Sequence, residues 1–127
     1  MNLVDSSGWL EYFADGPNAP FFAPAIEDAA ALLVSTINLY EVFKRVLQQR
    51  DEDSALKAVA VMGEGRVVPI DDALALSAAR LSVLHDLPMA DSLILATARA
   101  HQALVWTQDA DFDGLEGVRY RPAPRPG

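Results

Sequence analysis

The sequence predicts an α/β domain in which a parallel sheet is covered by helices on both faces. Two observations carry this. Short apolar runs at 1–4, 31–34, 66–70, 103–106 and 118–120 alternate with longer stretches whose apolar residues recur at helical spacing. Between them lie Ser, Asp, Gly and Pro where helix caps and stops belong. At 127 residues the chain is one domain by size, long enough to bury most of the surface its unfolded form exposes.

The run 1–4 reads as a first buried strand. Ser6 and Ser7 then start a helix carrying Trp9, Leu10, Tyr12 and Phe13. Gly16-Pro17-Asn18 breaks the chain, and 21–29 reads as a further helix. After the strand at 31–34, Ser35 caps a helix reaching about Gln49, with Ile37, Tyr40, Phe43 and Leu47 as its apolar side. Residues 51–62 form another helix, stopped by Gly63 and Gly65. The strand at 66–70 contains Pro69, which ends it. The stretch 71–85 is amphipathic, with Asp71 and Asp72 at its positive end. Pro88 precedes a helix from about Met89 to His101. A strand at 103–106, a loop or single turn at 109–117 and a last strand at 118–120 complete the domain, expected to span 1–120. The Pro-rich tail, 121–127, is expected to be extended or disordered.

Hydrophobic residues make up 51% of the chain, which excludes a disordered one. The apolar stretches are short and broken by charges, so no membrane span is expected. The N-terminus lacks a basic region followed by a long apolar one, which argues against secretion. With no cysteine there is no disulfide, thiolate nucleophile or cysteine zinc site, and a reducing, cytoplasmic setting fits. The net charge of −8 weighs against a nucleic-acid binder. Such a partner requires a local answer, in which several of the 18 acids hold metal and Lys44, Arg45, Arg50 and Arg99 near a cleft meet phosphates.

Ligands of a parallel α/β sheet bind beyond the carboxyl ends of the strands. Asp5 follows the first strand and Asp109 the strand ending at Trp106, so topology alone puts both on that edge. With Glu41 and Asp91, they are four acids that could face one point. Unpaired, they would repel one another and take up protons. A hard cation such as Mg²⁺ removes that penalty, which points to a metal-dependent hydrolase. Each acid also has a plainer use. Asp5 suits a helix N-cap, although Ser6 and Ser7 can serve instead. Glu41 falls on the polar side of its helix among Asn38, Lys44, Arg45 and Gln48, four residues before Arg45, as a solvated partner would. Asp91 suits the positive end of a helix. That helix is apolar nearly all round, however, and a charge buried there is costly unless paired or metal-bound.

Asp109, Asp111 and Asp113 resemble the opening of an EF-hand, but the twelfth position is Tyr120, where a bidentate Glu is required. The loop can still hold a metal. His85 and His101 both fall in helices and suit a surface or boundary role. Gly63-Glu64-Gly65 is too short to cradle a phosphate, and no Ser sits in a nucleophile elbow.

Four segments together are more specific than any one. Val4-Asp5-Ser6-Ser7-Gly8-Trp9-Leu10, Ser35-Thr36-Ile37-Asn38-Leu39-Tyr40-Glu41-Val42, Ala90-Asp91-Ser92-Leu93-Ile94-Leu95-Ala96-Thr97-Ala98 and Trp106-Thr107-Gln108-Asp109-Ala110-Asp111-Phe112 resemble, in order, the signature segments of PIN-domain ribonucleases. The likeness is greatest to the VapC-type toxins of bacterial toxin–antitoxin systems and covers essentially the whole chain. It implies a three-layer α/β/α domain with a central parallel sheet of four or five strands. It also assigns catalysis to Asp5, Glu41, Asp91 and Asp109 and metal binding to Asp5, Asp91 and Asp109. Asp111 is an auxiliary, and Thr107 and Ser7 are supporting hydrogen-bonders. The chain departs from the family in its acidity and in Asp113.

The resemblance further implies Mg²⁺, with Mn²⁺ as substitute, and cleavage of tRNA or another structured RNA to 5′-phosphate and 3′-hydroxyl ends. Glu41 would orient or deprotonate the attacking water. A homodimer and a VapB-like antitoxin are expected partners. The stretches Trp9–Phe13 and Phe21–Phe22 are candidate docking surface, with half of these residues expected in the core. Two other readings compete. One is a receiver-like signalling domain, against which stand the lone acid after the first strand and the lack of any Lys after Lys57. The other is a catalytically inactive PIN-fold binding module.

Overall fold

A computed structural model describes residues 1–125. Its strands are β1 (Asn2–Val4), β2 (Leu32–Ser35), β3 (Arg66–Val68), β4 (Leu104–Thr107) and β5 (Val118–Tyr120). All pair in parallel, in the order β3-β2-β1-β4-β5. The helices are α1 (Ser6–Phe13), α2 (Ala19–Ile26), α3 (Thr36–Gln49), α4 (Glu52–Met62), α5 (Asp72–His85) and α6 (Met89–Ala100). The expected three-layer α/β/α architecture is present with five strands.

Successive strand residues point to opposite faces, and the central strand divides the core accordingly. Leu3 packs with Leu33, Val105, Ile94 and Leu95 beneath α5 and α6. Val4 packs with Val34, Trp9, Phe22 and Val42 beneath α1 to α4. The chain builds outward from β1 to β3, then crosses back to lay β4 on the other side of β1. That reversal opens a crevice between β1 and β4 at their carboxyl ends. Receiver-like sheets run 2-1-3-4-5, which this one does not.

Local chemistry sets most boundaries. Asp5, Asp51 and Asp71 each accept a backbone N–H in the first turn of the helix that follows. Ser35 and Asn38 form a reciprocal capping box at the start of α3. β3 stops at Val68, before Pro69, because Pro has no N–H for the ladder. The tail is fastened at its start, where the Arg121 N–H donates to the Thr107 carbonyl and the Asn18 amide to that of Pro122. Residues 121–125 carry no regular structure, and 126–127 of the predicted tail lie outside the described residues. Among the described residues no helix is long and apolar enough to cross a membrane.

The structure corrects two expectations about the helices. The helix expected at 21–29 is Ala19–Ile26, because Pro20 pre-sets the backbone of its first turn, and Ala29–Ala31 is a separate turn. The apolar side expected for α3 is not its buried side. Tyr40 is 60% and Leu47 46% exposed, while Asn38, Val42 and Val46 are buried, since α1 and the sheet meet the helix there. Within the candidate docking stretches, part of which was expected in the core, Trp9 and Phe22 are fully buried, while Leu10, Tyr12, Phe13 and Phe21 are partly exposed.

Gly8 lies where α1 crosses close over the sheet edge. A Cβ there would stand 2.6 Å from a Phe22 ring carbon and 2.7 Å from Val4 Cγ1. Overpacking of this kind costs about 1–3 kcal/mol. Gly8→Ala is expected to lower the urea midpoint accordingly with little change in slope, as measured by equilibrium unfolding.

Candidate functional site

Asp5 ends β1 and caps α1, so it is both the cap and a wall of the crevice. Its Oδ1 accepts from Ser7 Oγ at 2.8 Å and from the Gly8 N–H at 3.1 Å. Its Oδ2 accepts from Thr107 Oγ1, at the end of β4, at 2.9 Å. The side chain is almost fully buried. Burial raises its pKa to about 6, against the lowering effect of these hydrogen bonds, and the charge of Asp109 adds to the rise.

Thr107 is a hinge between acids. Its Oγ1 donates to Asp5 and accepts the Asp109 N–H at 2.8 Å. Asp109 in turn accepts the Asp111 N–H on Oδ1 at 2.9 Å, fixing the turn over Ala110–Phe112. Asp91, in the first turn of α6, reaches the same place. One carboxylate oxygen from each of Asp91, Asp109 and Asp111 lies within 4.8 Å of the others. Asp91 is raised to about 8, first by burial and then by Asp109, with Asp111 and Asp5 contributing.

Glu41 reaches the cleft from the second turn of α3. Its Oε1 accepts from Ser6 Oγ at 2.6 Å, and Ser6 Oγ accepts from Asn38 Nδ2 at 3.1 Å. Asn38 is fully buried and also accepts the Ser35 N–H on Oδ1. Sequence reasoning placed Asn38 on a solvated side and Ser6 only as a helix starter. The spacing Ser35-x-x-Asn38, a capping-box pattern, was the available hint for Asn38. Glu41 therefore lies on the cleft rather than in solvent. Asp5, Glu41, Arg45, Asp91 and Asp109 all line one pocket, with Leu10 at its rim.

Of the four cations expected there, only Arg45 lines it. Lys44 lies over the Tyr40 ring at 5.6 Å, and Arg50 lines a separate groove. Arg99 sits in the last turn of α6, opposite the end that carries Asp91, and donates to the Glu116 carbonyl. Asp113 is exposed and caps the turn through its backbone.

The cluster fits a divalent cation. Oxygens on opposite sides of an octahedral Mg²⁺ lie about 4.2 Å apart, compatible with the spacing of Asp91, Asp109 and Asp111. All donors are hard carboxylate oxygens, and a cation would relieve both the burial and the neighbouring charge that raise the Asp91 pKa.

Both shifts are upward, so the folded protein holds protons that the unfolded chain has released. The resulting stability is complete below about pH 4, the ordinary carboxylate range. It is lost as pH rises through about 6 for Asp5 and about 8 for Asp91. In EDTA, Asp91→Asn is expected to match the parent melting temperature near pH 4 and exceed it near pH 8.5. Millimolar Mn²⁺ should raise the parent and not the variant. Thermal scans across pH check this, and a gap that closes as pH rises would refute it.

The PIN-domain family model matches residues 3–118. No curated protein sequence matches the chain. Among solved structures, a toxin–antitoxin complex from Klebsiella pneumoniae is 22% identical with a TM-score of 0.78, covering 94% of this chain and 96% of that one. VapC20 of Mycobacterium tuberculosis, described as a Sarcin-Ricin loop cleaving toxin, is 21% identical with a TM-score of 0.78, covering 96% and 100%. DNA-bound VapBC from Salmonella typhimurium is 14% identical with a TM-score of 0.73, covering 96% and 98%. These likenesses are of fold. With the family model spanning nearly the whole chain and carboxylates from β1, α3, α6 and the β4 loop meeting in one cleft, this chain belongs to the PIN-domain family.

Proposed function

We propose that the protein is a Mg²⁺-dependent endoribonuclease, the toxin of a toxin–antitoxin pair, with its nuclease domain at 1–120. One observation carries the reading: Asp91, Asp109 and Asp111 bring carboxylate oxygens close enough to share a cation, beside Asp5 and Glu41. Asp5, Asp91 and Asp109 would hold Mg²⁺, or Mn²⁺ in its place, with Asp111 assisting. Once bound, the ion would supply neutralising charge for the phosphate and acidify water beside it. Glu41, held by the Ser6 hydrogen bond, accepts a proton from the attacking water. The water oxygen bonds to phosphorus, the bond to the 3′-oxygen breaks, and that oxygen takes a proton from solvent. The products carry a 5′-phosphate and a 3′-hydroxyl.

The solved relatives described as toxins and toxin–antitoxin complexes support the biological setting. The substrate is tRNA or another structured RNA, and the setting cytoplasmic. The groove between α1, α3 and α4 suits a VapB-like antitoxin better than the stretches expected from sequence. Leu10, Phe13, Val46 and Val61 line it, Arg50 and Lys57 edge it, and Leu10 joins it to the acidic cleft. An antitoxin segment lying there could bring a cation to the carboxylates. A homodimer is supported by the exposed Leu76, Val83 and Leu84 of α5.

Induced expression of the wild type is expected to arrest growth with Mg²⁺-dependent RNA cleavage, and Asp5→Asn to abolish both. Equal growth and intact RNA in both, with folded protein, would refute the nuclease. Asp91→Ala should cut cleavage by more than about 100-fold, since even outer-shell partners of a metal are worth 10–100-fold. Retained Mg²⁺-dependent cleavage in that variant would remove the site assignment. Calorimetry showing no Mg²⁺ or Mn²⁺ uptake would favour an inactive binding module.

Thr107→Val removes the hydroxyl that serves both Asp5 and Asp109. It is expected to weaken Mn²⁺ binding about 10–100-fold by calorimetry.

A further inference from the structure

We propose that Arg119 and Arg121 form a stacked-guanidinium clamp for the phosphodiester backbone of the RNA strand, on the β5 side of the acidic cleft. The proposal rests on the nuclease reading and says where its substrate is held.

A chain of net charge −8 repels RNA on average, so any strand it binds must be held by local cations. Arg45 lines the cleft on the α3 side. The opposite flank is the edge strand β5, where Arg119 stands level with Trp106. The Arg119 guanidinium lies 5.0 Å above the Trp106 ring, and that of Arg121 lies 5.3 Å above the Phe21 ring. The two rings are 5.2 Å apart, so the four side chains form one continuous surface. Both arginines are exposed, while both rings are partly buried against the core.

This surface is preorganised. Trp106 is fixed by its Nε1–H, which donates to Asn2 Oδ1 at 2.9 Å. The Arg121 backbone N–H donates to the Thr107 carbonyl at 3.0 Å, and Asn18 ties Gln108 to Pro122. Thr107 is also the residue whose hydroxyl joins Asp5 to Asp109. The strand that carries Arg119 therefore pairs directly with β4, the strand that leads into Asp109 and Asp111.

Stacking occupies the flat face of a guanidinium and leaves its five N–H donors in plane, directed outward. An in-plane fork is the geometry that grips a phosphate bidentately. The ring also limits the freedom each arginine loses on binding. With Arg45 on one flank and this pair on the other, the strand would cross the carboxyl edge of the sheet with its scissile phosphate over the carboxylates.

The test is binding of bulk tRNA in EDTA between 50 and 200 mM salt, followed by cleavage with Mg²⁺. The double variant Arg119→Ala/Arg121→Ala is expected to bind about 10-fold more weakly at the lower salt. Its slope of log affinity against log salt should be shallower by about 1.4, for two phosphate contacts at roughly 0.7 each. Arg121→Lys, alone, should keep the wild-type slope and lose part of the affinity, because it retains charge without the fork. Calorimetric Mn²⁺ affinity should be unchanged, and the loss in cleavage should be read in KM. Unchanged tRNA affinity and slope in the double variant would overturn the clamp and leave the nuclease standing. So would a loss confined to affinity for a co-expressed antitoxin, which would make the surface a peptide site. Wild-type protein that binds tRNA through these arginines without cleaving it would support the clamp and overturn the nuclease reading.

Discussion

Carboxylates held closer together than their charges tolerate in water govern the carboxyl edge of this sheet. Asp91, Asp109 and Asp111 share a space that one ionised group would fill more comfortably than three, and Asp5 is buried beside them. Proton uptake is one release: burial first, and the neighbouring carboxylates after it, push Asp5 and Asp91 upward. A hard divalent cation is the other, and only that one leaves all the oxygens ionised. The fold maintains the crowding because the acids come from three separate places: Asp5 from the end of β1, Asp91 from the start of α6, and Asp109 and Asp111 from the turn after β4.

That fixing relies on groups with two tasks. Asp5 caps α1 and walls the cleft, so the helix and the site cannot be positioned separately. Thr107 joins β1 to the Asp109 turn through one hydroxyl that both donates and accepts. Asn38 completes the cap of α3 with one end of its amide and reaches Glu41 through Ser6 with the other. Buried polar networks of this kind are stable only when every member is satisfied. Each link here has a partner, so Asp5, Glu41 and Asp109 are held with little rotamer freedom.

On the proposed nuclease reading, the strongly acidic net charge and a polyanionic substrate are reconciled by distribution. The acids that face the cleft are those a cation would neutralise, while Arg45 lines the cleft and the proposed clamp of Arg119 and Arg121 belongs to the β5 side of the sheet. The field that matters to a bound strand is that of the edge, with a range of only about 10 Å at moderate salt. Lys44, Arg50 and Arg99 face elsewhere and contribute little to it.

By itself the sequence determined the strands, most helix starts, the parallel architecture and the four acids, Asp5, Glu41, Asp91 and Asp109, that line one cleft. These follow from periodicity, from short-range capping chemistry, and, for Glu41, from the family likeness of its segment. Tertiary structure alone decided which side of α3 is buried, because that depends on where α1 and the sheet meet it. Asn38 consequently went from a solvated position to the interior, and Tyr40 and Leu47 the other way. The same holds for the closeness of Asp111 to Asp91 and for the pairing of Arg119 with Trp106. Both contacts join residues that only strand order brings side by side. Spacing along a chain records which face a side chain prefers, but the neighbour on that face is set by the packing of elements distant in sequence.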